Sequence, residues 1–376
     1  MPLEIRFSLV KLLIVLIVVL VPLNFIGLYL TTQCYNLVQQ NTGTLFRNIA
    51  ENDAVATYRF LNDRVTSIAE IASQQAIVEV VQTSNRNWSR LSPEAKAAQI
   101  TDTENTWNTL QADAPASGIL SSRASASLRQ YRDLDVRFLK LLVLDENGVP
   151  VAATDWPVHY APVDEAFWQG VFADGKGALY LTDVQYDRTN KTAYLDIGVP
   201  IYDENSKRFI GAVRAFVDVS PLFSMLHRDQ AGRTLATMLV REDGTVISAP
   251  SVDASLHMKS PEYNAVRDAL GTLQGRQAGY LVAALPGGDR LAGFADIGLT
   301  PIYPNLAWFV MVGQSEREAL SSVRTLVYFA LFMLLVGLLM VSLLTAYFFL
   351  HREQEISDIE SAPAPVREEE KDLVAR

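Results

Sequence analysis

Two long uncharged apolar runs dominate the pattern of this chain. The first begins at Leu12, just after Lys11, and stays dense in Leu, Ile and Val to Leu30; no charge returns until Arg47. The second fills 325–350, between Arg324 and His351. Each exceeds the ~20 residues a helix needs to cross a ~30 Å hydrocarbon core, so each predicts a membrane-spanning helix. A cleaved secretory signal shares the basic start at Arg6 and Lys11. The first run, however, outlasts an ordinary signal core and no small-residue cleavage site closes it, so it is read as a retained anchor.

Between the runs the period changes. From Tyr35 to Thr83 there is no proline and one glycine, Gly43, while Tyr58, Leu61, Val65, Ile68 and Ala72 recur at three-four spacing. This predicts one long helix. Its stripe can seat the helix on its own domain or pair it with a second copy, and a homodimer is expected. Another helix is predicted after Ser92-Pro93, with Ser92 as its cap. From Phe138 the apolar positions alternate: Leu139, Leu141 and Val143 lead into Asp145-Glu146-Asn147-Gly148, and Val149, Val151 and Ala153 lead out, a hairpin with an Asn-Gly turn. Tyr194 to Tyr202 and Phe209 to Val219 predict a second pair, after which Ser220-Pro221 opens a helix with Ser220 as cap. Met238 to Ala249 then aligns without gaps on Leu142 to Ala153, and more strands follow at Gly279 to Leu285, Arg290 to Ile297 and Ala307 to Val312. Ser315 is expected to cap the helix that runs into the second span. The recurrence of strand, acidic turn with glycine, and strand predicts two related α+β modules near 35–225 and 233–315.

Charge sets the orientation. Arg6 and Lys11 precede the first run and nothing basic follows it until Arg47, which places the N-terminus in the cytoplasm. Two crossings return the C-terminus there and export the region between them, so a bacterial inner-membrane protein with a periplasmic or extracellular middle is expected. The net charge of −10 offers no basic face for nucleic acid. The single cysteine, Cys34, excludes an internal disulfide framework; at the outer mouth of the first span it can bridge two chains or remain an inert thiol. The four histidines lack metal-ligand spacing, and no nucleophile elbow, phosphate loop or Cys-His set appears, so neither an enzyme nor a cofactor is expected.

The order of these elements resembles the double Cache (PDC-like) sensor domains of bacterial receptors. The resemblance covers about 33–320. It is carried by the long helix, the hairpin ending in Thr154-Asp155, the segment Tyr160 to Phe167-Trp168, the runs Gly198 to Asp203, Ile210 to Val213 and Val217 to Ser220, and the closing strand Trp308 to Val312. It implies a long N-terminal helix with two stacked antiparallel-sheet modules, flanked by two membrane helices, and a small ligand held in the membrane-distal module. The corresponding boundaries are a cytoplasmic start at 1–11, spans at 12–32 and 325–350, a distal module with the long helix at 33–232, a proximal module at 233–324 and an acidic cytoplasmic tail at 351–376. The tail is too short for a kinase or cyclase, so the expectation is either output on a separate partner protein or a sensory remnant.

The segment from Asp155 to Asp187 is richest in rings and carboxylates, the materials of a small-molecule pocket: rings give contact area and carboxylates orient a cation. Its candidates are Tyr160, Asp164, Glu165, Trp168, Tyr186 and Asp187. Amino-acid-binding Cache domains carry Tyr, four residues, Arg, one residue, Trp and Tyr. Tyr160 matches the first position and Phe167-Trp168 the aromatic pair imperfectly, while Glu165 stands where the arginine would be. The resemblance also aligns Asp218 with a distant Asp that takes the ligand's ammonium. Arg214 shares a strand face with Asp218 by period two and can hold an anion. A sensor of a small amine- or amino-acid-like ligand is therefore expected, the alternative being a non-signalling solute-binding or scaffold protein.

Overall fold

The computed structural model describes residues 9–110, 118–161, 165–187, 189–227, 234–250, 252, 257–272 and 278–360. The chain divides into two compact units, one of residues 1–41 with 320–376 and the other Thr42–Ala319. Helix α1 (Leu9–Ala72) is continuous, longer than the apolar run that starts it, with no proline after Pro22; it ends at the Ser73-Gln74 corner. There Gln74 turns extended and α2 (Gln75–Trp88) restarts, which splits the single helix expected over 35–83. Next come α3 (Pro93–Leu110), α4 (Gly118–Ser121) and α5 (Arg123–Leu134). Ser92 Oγ accepts the Ala95 N–H at 3.3 Å, as its place before Pro93 predicts, and Ser122 Oγ accepts the Ser125 N–H at 3.1 Å.

The first sheet follows: β1 (Phe138–Asp145), β2 (Pro150–Ala153), then α6 (Ala166–Phe172), β3 (Tyr180–Leu181), β4 (Gln185–Asp187), β5 (Thr192–Tyr202) and β6 (Phe209–Asp218). It is antiparallel, in the order β2-β1-β6-β5-β3, with β4 also on β5. After α7 (Ser220–Leu226) come β7 (Ala236–Arg241), β8 (Val246–Ser248), α8 (Pro261–Thr272), β9 (Ala278–Ala283), β10 (Arg290–Asp296) and β11 (Trp308–Ser315). These five strands form a second sheet in the order β8-β7-β11-β10-β9, the same path as the first. The repeated hairpins share their turn chemistry as well: Gly148 and Gly244 sit at φ 78° and 80°, a region where a Cβ would be strained. One correction concerns α7. Its N-cap is Val219, without a side-chain cap, and Ser220 is instead held by Asp218, whose Oδ1 accepts the Ser220 N–H at 2.8 Å. A second is that β11 runs through Ser315, followed by α9 (Glu316–Ala319) and α10 (Ser321–Glu360).

The core of the Thr42–Ala319 unit lies between α1 and both sheets. Leu61, Val65, Ile68 and Ala72 are buried in it beside Leu141, Val143, Val213 and Ala215. The three-four stripe that raised the prospect of pairing with a second copy is therefore used by the domain's own sheets. The second sheet meets α1 with no spare room. A Cβ on Gly293 would stand 2.3 Å from the Phe46 backbone, and one on Gly43 would stand 2.2 Å from the Tyr280 ring.

In the other unit, the start of α1 and most of α10 are long and apolar enough to cross a membrane. Their most apolar windows reach mean hydropathies of 1.8 and 2.7 and are wholly unburied. Polar side chains there close on their own helix: Asn24 Nδ2 donates to Leu20 O and Thr31 Oγ1 to Gly27 O, both at 2.8 Å, which a hydrocarbon setting requires.

Candidate ligand-binding site

Strand alternation puts Lys140 and Leu142 of β1, Arg214 and Phe216 of β6, and Tyr194 and Asp196 of β5 on one face of the first sheet. The register confirms it: Lys140 lies opposite Phe216 and Leu142 opposite Arg214, while Asp196 lies opposite Phe216 and Gly198 opposite Arg214. Over this face is a cavity of about 510 Å³, within the size range of small-ligand sites. Its floor is Lys140, Leu142, Tyr194, Arg214 and Phe216; its walls are Asp155 to His159, Glu165, and Gln185 with Asp187 and Asn190.

The matching face of the second sheet is built differently. The gapless repeat pairs Leu142 with Met238. Their cross-strand neighbours are Arg214 then Gly198 in the first sheet, and Met311 then Phe294 in the second. Met311 and Phe294 are buried with Val240 and Tyr263 in an apolar cluster that fills this face. In the first sheet an arginine takes the place of Met311 and lines the cavity, while Gly198, in the place of Phe294, lies directly under Phe167 and Val171 of α6.

Arg214 is held from three sides. Its Nε and Nη2 donate to Asp196 Oδ2 at 2.9 and 2.7 Å, and Nη1 meets Glu165 Oε2 at 2.9 Å. The guanidinium carbon sits 4.2 Å from the Phe167 ring centroid and 5.1 Å from that of Phe216, a cation–π sandwich. Glu165 opens α6 without capping it, which frees its side chain for this pair. The two carboxylates differ in access. Asp196 has a side chain 2% exposed and Glu165 one that is 34% exposed. Burial pushes the Asp196 carboxyl up to about 6, against the pull of Arg214, and its Oδ1 has no hydrogen-bond partner among the described residues. Burial alone would lower the Arg214 pKa, but Asp196 and then Glu165 outweigh it and the net shift is upward. With all three ionised, one cation faces two anions, and Glu165 is the one at the cavity surface.

The wall from Asp155 to His159 is fixed from α3. Trp107 stacks on Trp156 with centroids 4.2 Å apart, and its Nε1 donates to Pro157 O at 2.8 Å. Glu104 Oε2 accepts the N–H groups of Tyr160 and Ala161 at 2.7 and 3.0 Å.

Of the candidates read from the sequence, Glu165, Asp187 and Arg214 come together around the cavity. Asp187 is braced by its own turn, with Oδ2 accepting from Asn190 Nδ2 at 2.7 Å; that bond, with the Asn190 and Thr189 N–H groups, lowers its pKa. Tyr160 packs instead against Trp107, centroids 4.9 Å apart. Trp168 is in the core with Phe172 and Phe209. Tyr186 turns to the second sheet and donates its hydroxyl to Ile247 O. Asp218 shares the cavity face by register, opposite Tyr194, but spends a carboxylate oxygen on Ser220. Asp164 lies outside the described residues. Asp196, Lys140 and the Trp107–Glu104 support escaped the sequence reading. A signal for Asp196 was present: it is the lone charge in β5, as Arg214 is the lone basic residue in the body of β6, and two buried opposite charges on paired strands imply each other.

No protein-family model matches the sequence, and no curated protein matches it. Several solved structures are similar to it. The ligand-binding domain of the Pseudomonas aeruginosa PAO1 amino acid chemoreceptor PctC, in complex with GABA, is 15% identical, with a TM-score of 0.47 over 73% of this chain and 100% of that one. That of chemoreceptor PctB from the same organism, in complex with L-Arg, is 18% identical, with a TM-score of 0.43 over 74% of this chain and 96% of that one. The ligand-binding domain of the Pseudomonas fluorescens chemoreceptor CtaA, in complex with L-isoleucine, is 16% identical, with a TM-score of 0.46 over 76% of this chain and 98% of that one. What this chain is similar to, then, is a set of chemoreceptor ligand-binding domains.

Proposed function

We propose that this chain is a membrane-anchored sensory protein that takes a small amine- or amino-acid-like ligand in the cavity over the first sheet and signals to a separate output partner. Its two sheets act as stacked modules, the first for the ligand, and its two apolar helices cross the membrane with both chain ends in the cytoplasm. The observation that carries the ligand reading is the Asp196–Arg214–Glu165 triad. Arg214 is already shared by two carboxylates, so an incoming anion must displace one of them, whereas an ammonium meets a surface carboxylate next to the rings of Tyr194, Trp156 and Phe216. Lys140 lines the same cavity and acts on Asp187 through its charge, a second cation that a ligand's own carboxylate can meet.

A thermal-shift screen of the full chain in detergent against amines, amino acids and carboxylates tests this, because a ligand of the folded state raises the melting temperature. Amine-bearing compounds are expected to raise it. Stabilisation by carboxylates that lack an amine, and by nothing else, would overturn the ligand class.

A further inference from the structure

The segment 181–187 faces two ways. Toward the cavity, Gln185 and Asp187 are wall residues. Thr182 brackets the buried member of the triad: its N–H donates to Asp196 O at 2.9 Å, and the Asp196 N–H donates to Thr182 Oγ1 at 3.0 Å. The intervening residues reach the second sheet. Asn305 Nδ2 donates to Leu181 O at 2.6 Å. Asp183 pairs with Arg241 at the end of β7, and Arg241 lies opposite Trp308 at the start of β11. Tyr186 donates to Ile247 O in β8. Leu181 and Val184 are buried in the core shared by both sheets, so the segment is clamped along its length.

We propose that 181–187 is a transmission strut that converts occupancy of the cavity into displacement of the second sheet. It rests on the cavity being the ligand site, and adds the route by which occupancy is read out. A ligand that engages Gln185 or Asp187 also shifts the residues between and before them, because alternate side chains of one short segment cannot move independently. The contacts at Asp183 and Tyr186 pass that shift to β7, β8 and β11. The second sheet in turn lies on α1 with no space for a methyl group at Gly293 or Gly43. A packed contact of that kind moves its neighbour rather than absorbing the change. The strut therefore links the cavity to the helix that carries the apolar run.

The test needs no ligand, so its failure is separable from failure of the ligand reading. Leu139 also lines the cavity, because the register of β1 slips between Phe138 and Lys140; Leu139→Trp places an indole there as a tethered occupant. Hydrogen exchange of the full chain in detergent is then followed at Val246–Ser248 by mass spectrometry. With the strut intact, the substitution is expected to change exchange there by about threefold or more, the scale of a local opening equilibrium that has been shifted. In a chain that also carries Tyr186→Phe and Arg241→Gln, the response should disappear. Far-ultraviolet circular dichroism checks the fold; if the doubly cut strut does not fold, Tyr186→Phe alone, which removes one hydroxyl, serves and should reduce the response. A change at Val246–Ser248 that persists in full in the cut strut, or no change with the strut intact, would overturn the proposal.

Discussion

Replacing Arg214 by Met tests the electrostatics of the triad, with a sign that can be worked through. In the native fold the Asp196 carboxyl titrates at about 6, above its ordinary 3.8, so between those values the folded state holds a proton that the unfolded state has lost. Stability therefore falls as pH rises through that window and then levels off. Arg214→Met removes the cation that holds this carboxyl down, and its pKa moves higher. Below pH 6 both folded proteins carry the proton and the variant's deficit is at its smallest. Above pH 6 the native Asp196 ionises beside Arg214, while in the variant it must stay protonated or ionise alone. The deficit then grows by ~1.4 kcal/mol per pH unit until the variant's own pKa is reached, or up to roughly 3 kcal/mol between pH 6 and 8, in line with what a broken buried pair costs. Urea unfolding of the full chain in detergent at pH 5, 6, 7 and 8, followed by circular dichroism, measures it. Adding Asp196→Asn to Arg214→Met should remove the pH dependence. A deficit that is constant from pH 5 to 8 would refute the account of Asp196 as a buried carboxylate held by Arg214.

Other outcomes follow from the packing. Trp107→Ala removes the stacking partner of Trp156 and the donor to Pro157 O; a loss of roughly 3–5 kcal/mol in urea unfolding is expected, together with faster hydrogen exchange at 156–161, and unchanged exchange there would refute the bracing role of α3. Gly293→Ala forces a Cβ into the Phe46 backbone and should cost at least ~1–3 kcal/mol, read as a lowered melting temperature; a neutral result would mean that α1 and the second sheet can part. A reporter active only outside the cytoplasm, fused after Leu350, should stay silent, and strong activity would contradict the proposed topology.

Much of the fold was legible because its signals are local. Ser92-Pro93 marks the start of α3, period-two alternation marks β1, β5 and β6, and the two acidic turns ending in glycine mark the hairpins that begin each sheet. Aligning Met238 to Ala249 on Leu142 to Ala153 pointed to two related modules, while the strand order of each sheet came from the structure. The site was legible only in part, because facing is decided by partners far along the chain. Trp168 and Phe172 are four residues apart on α6 and share its buried face, which no composition count reveals. Tyr186 alternates with the wall residues Gln185 and Asp187 and so points to Ile247. Asp218 precedes Ser220-Pro221, where a carboxylate serves the helix start. Asp196 needed the strand register, and the support from Glu104 and Trp107 joins positions some fifty residues from the wall they hold, beyond the reach of any periodicity.

The most direct test of the central claim is isothermal titration of three compounds that share one apolar body, L-leucine, isopentylamine and isocaproate, into the full chain and its Glu165→Gln variant. The account predicts that the two amines bind the native protein more tightly than isocaproate, and that Glu165→Gln, which keeps the shape and removes the surface charge, weakens them by about tenfold or more, at ~1.4 kcal/mol per tenfold. Preferential binding of isocaproate, strengthened in Glu165→Gln, would contradict it and make Arg214 the ligand's partner.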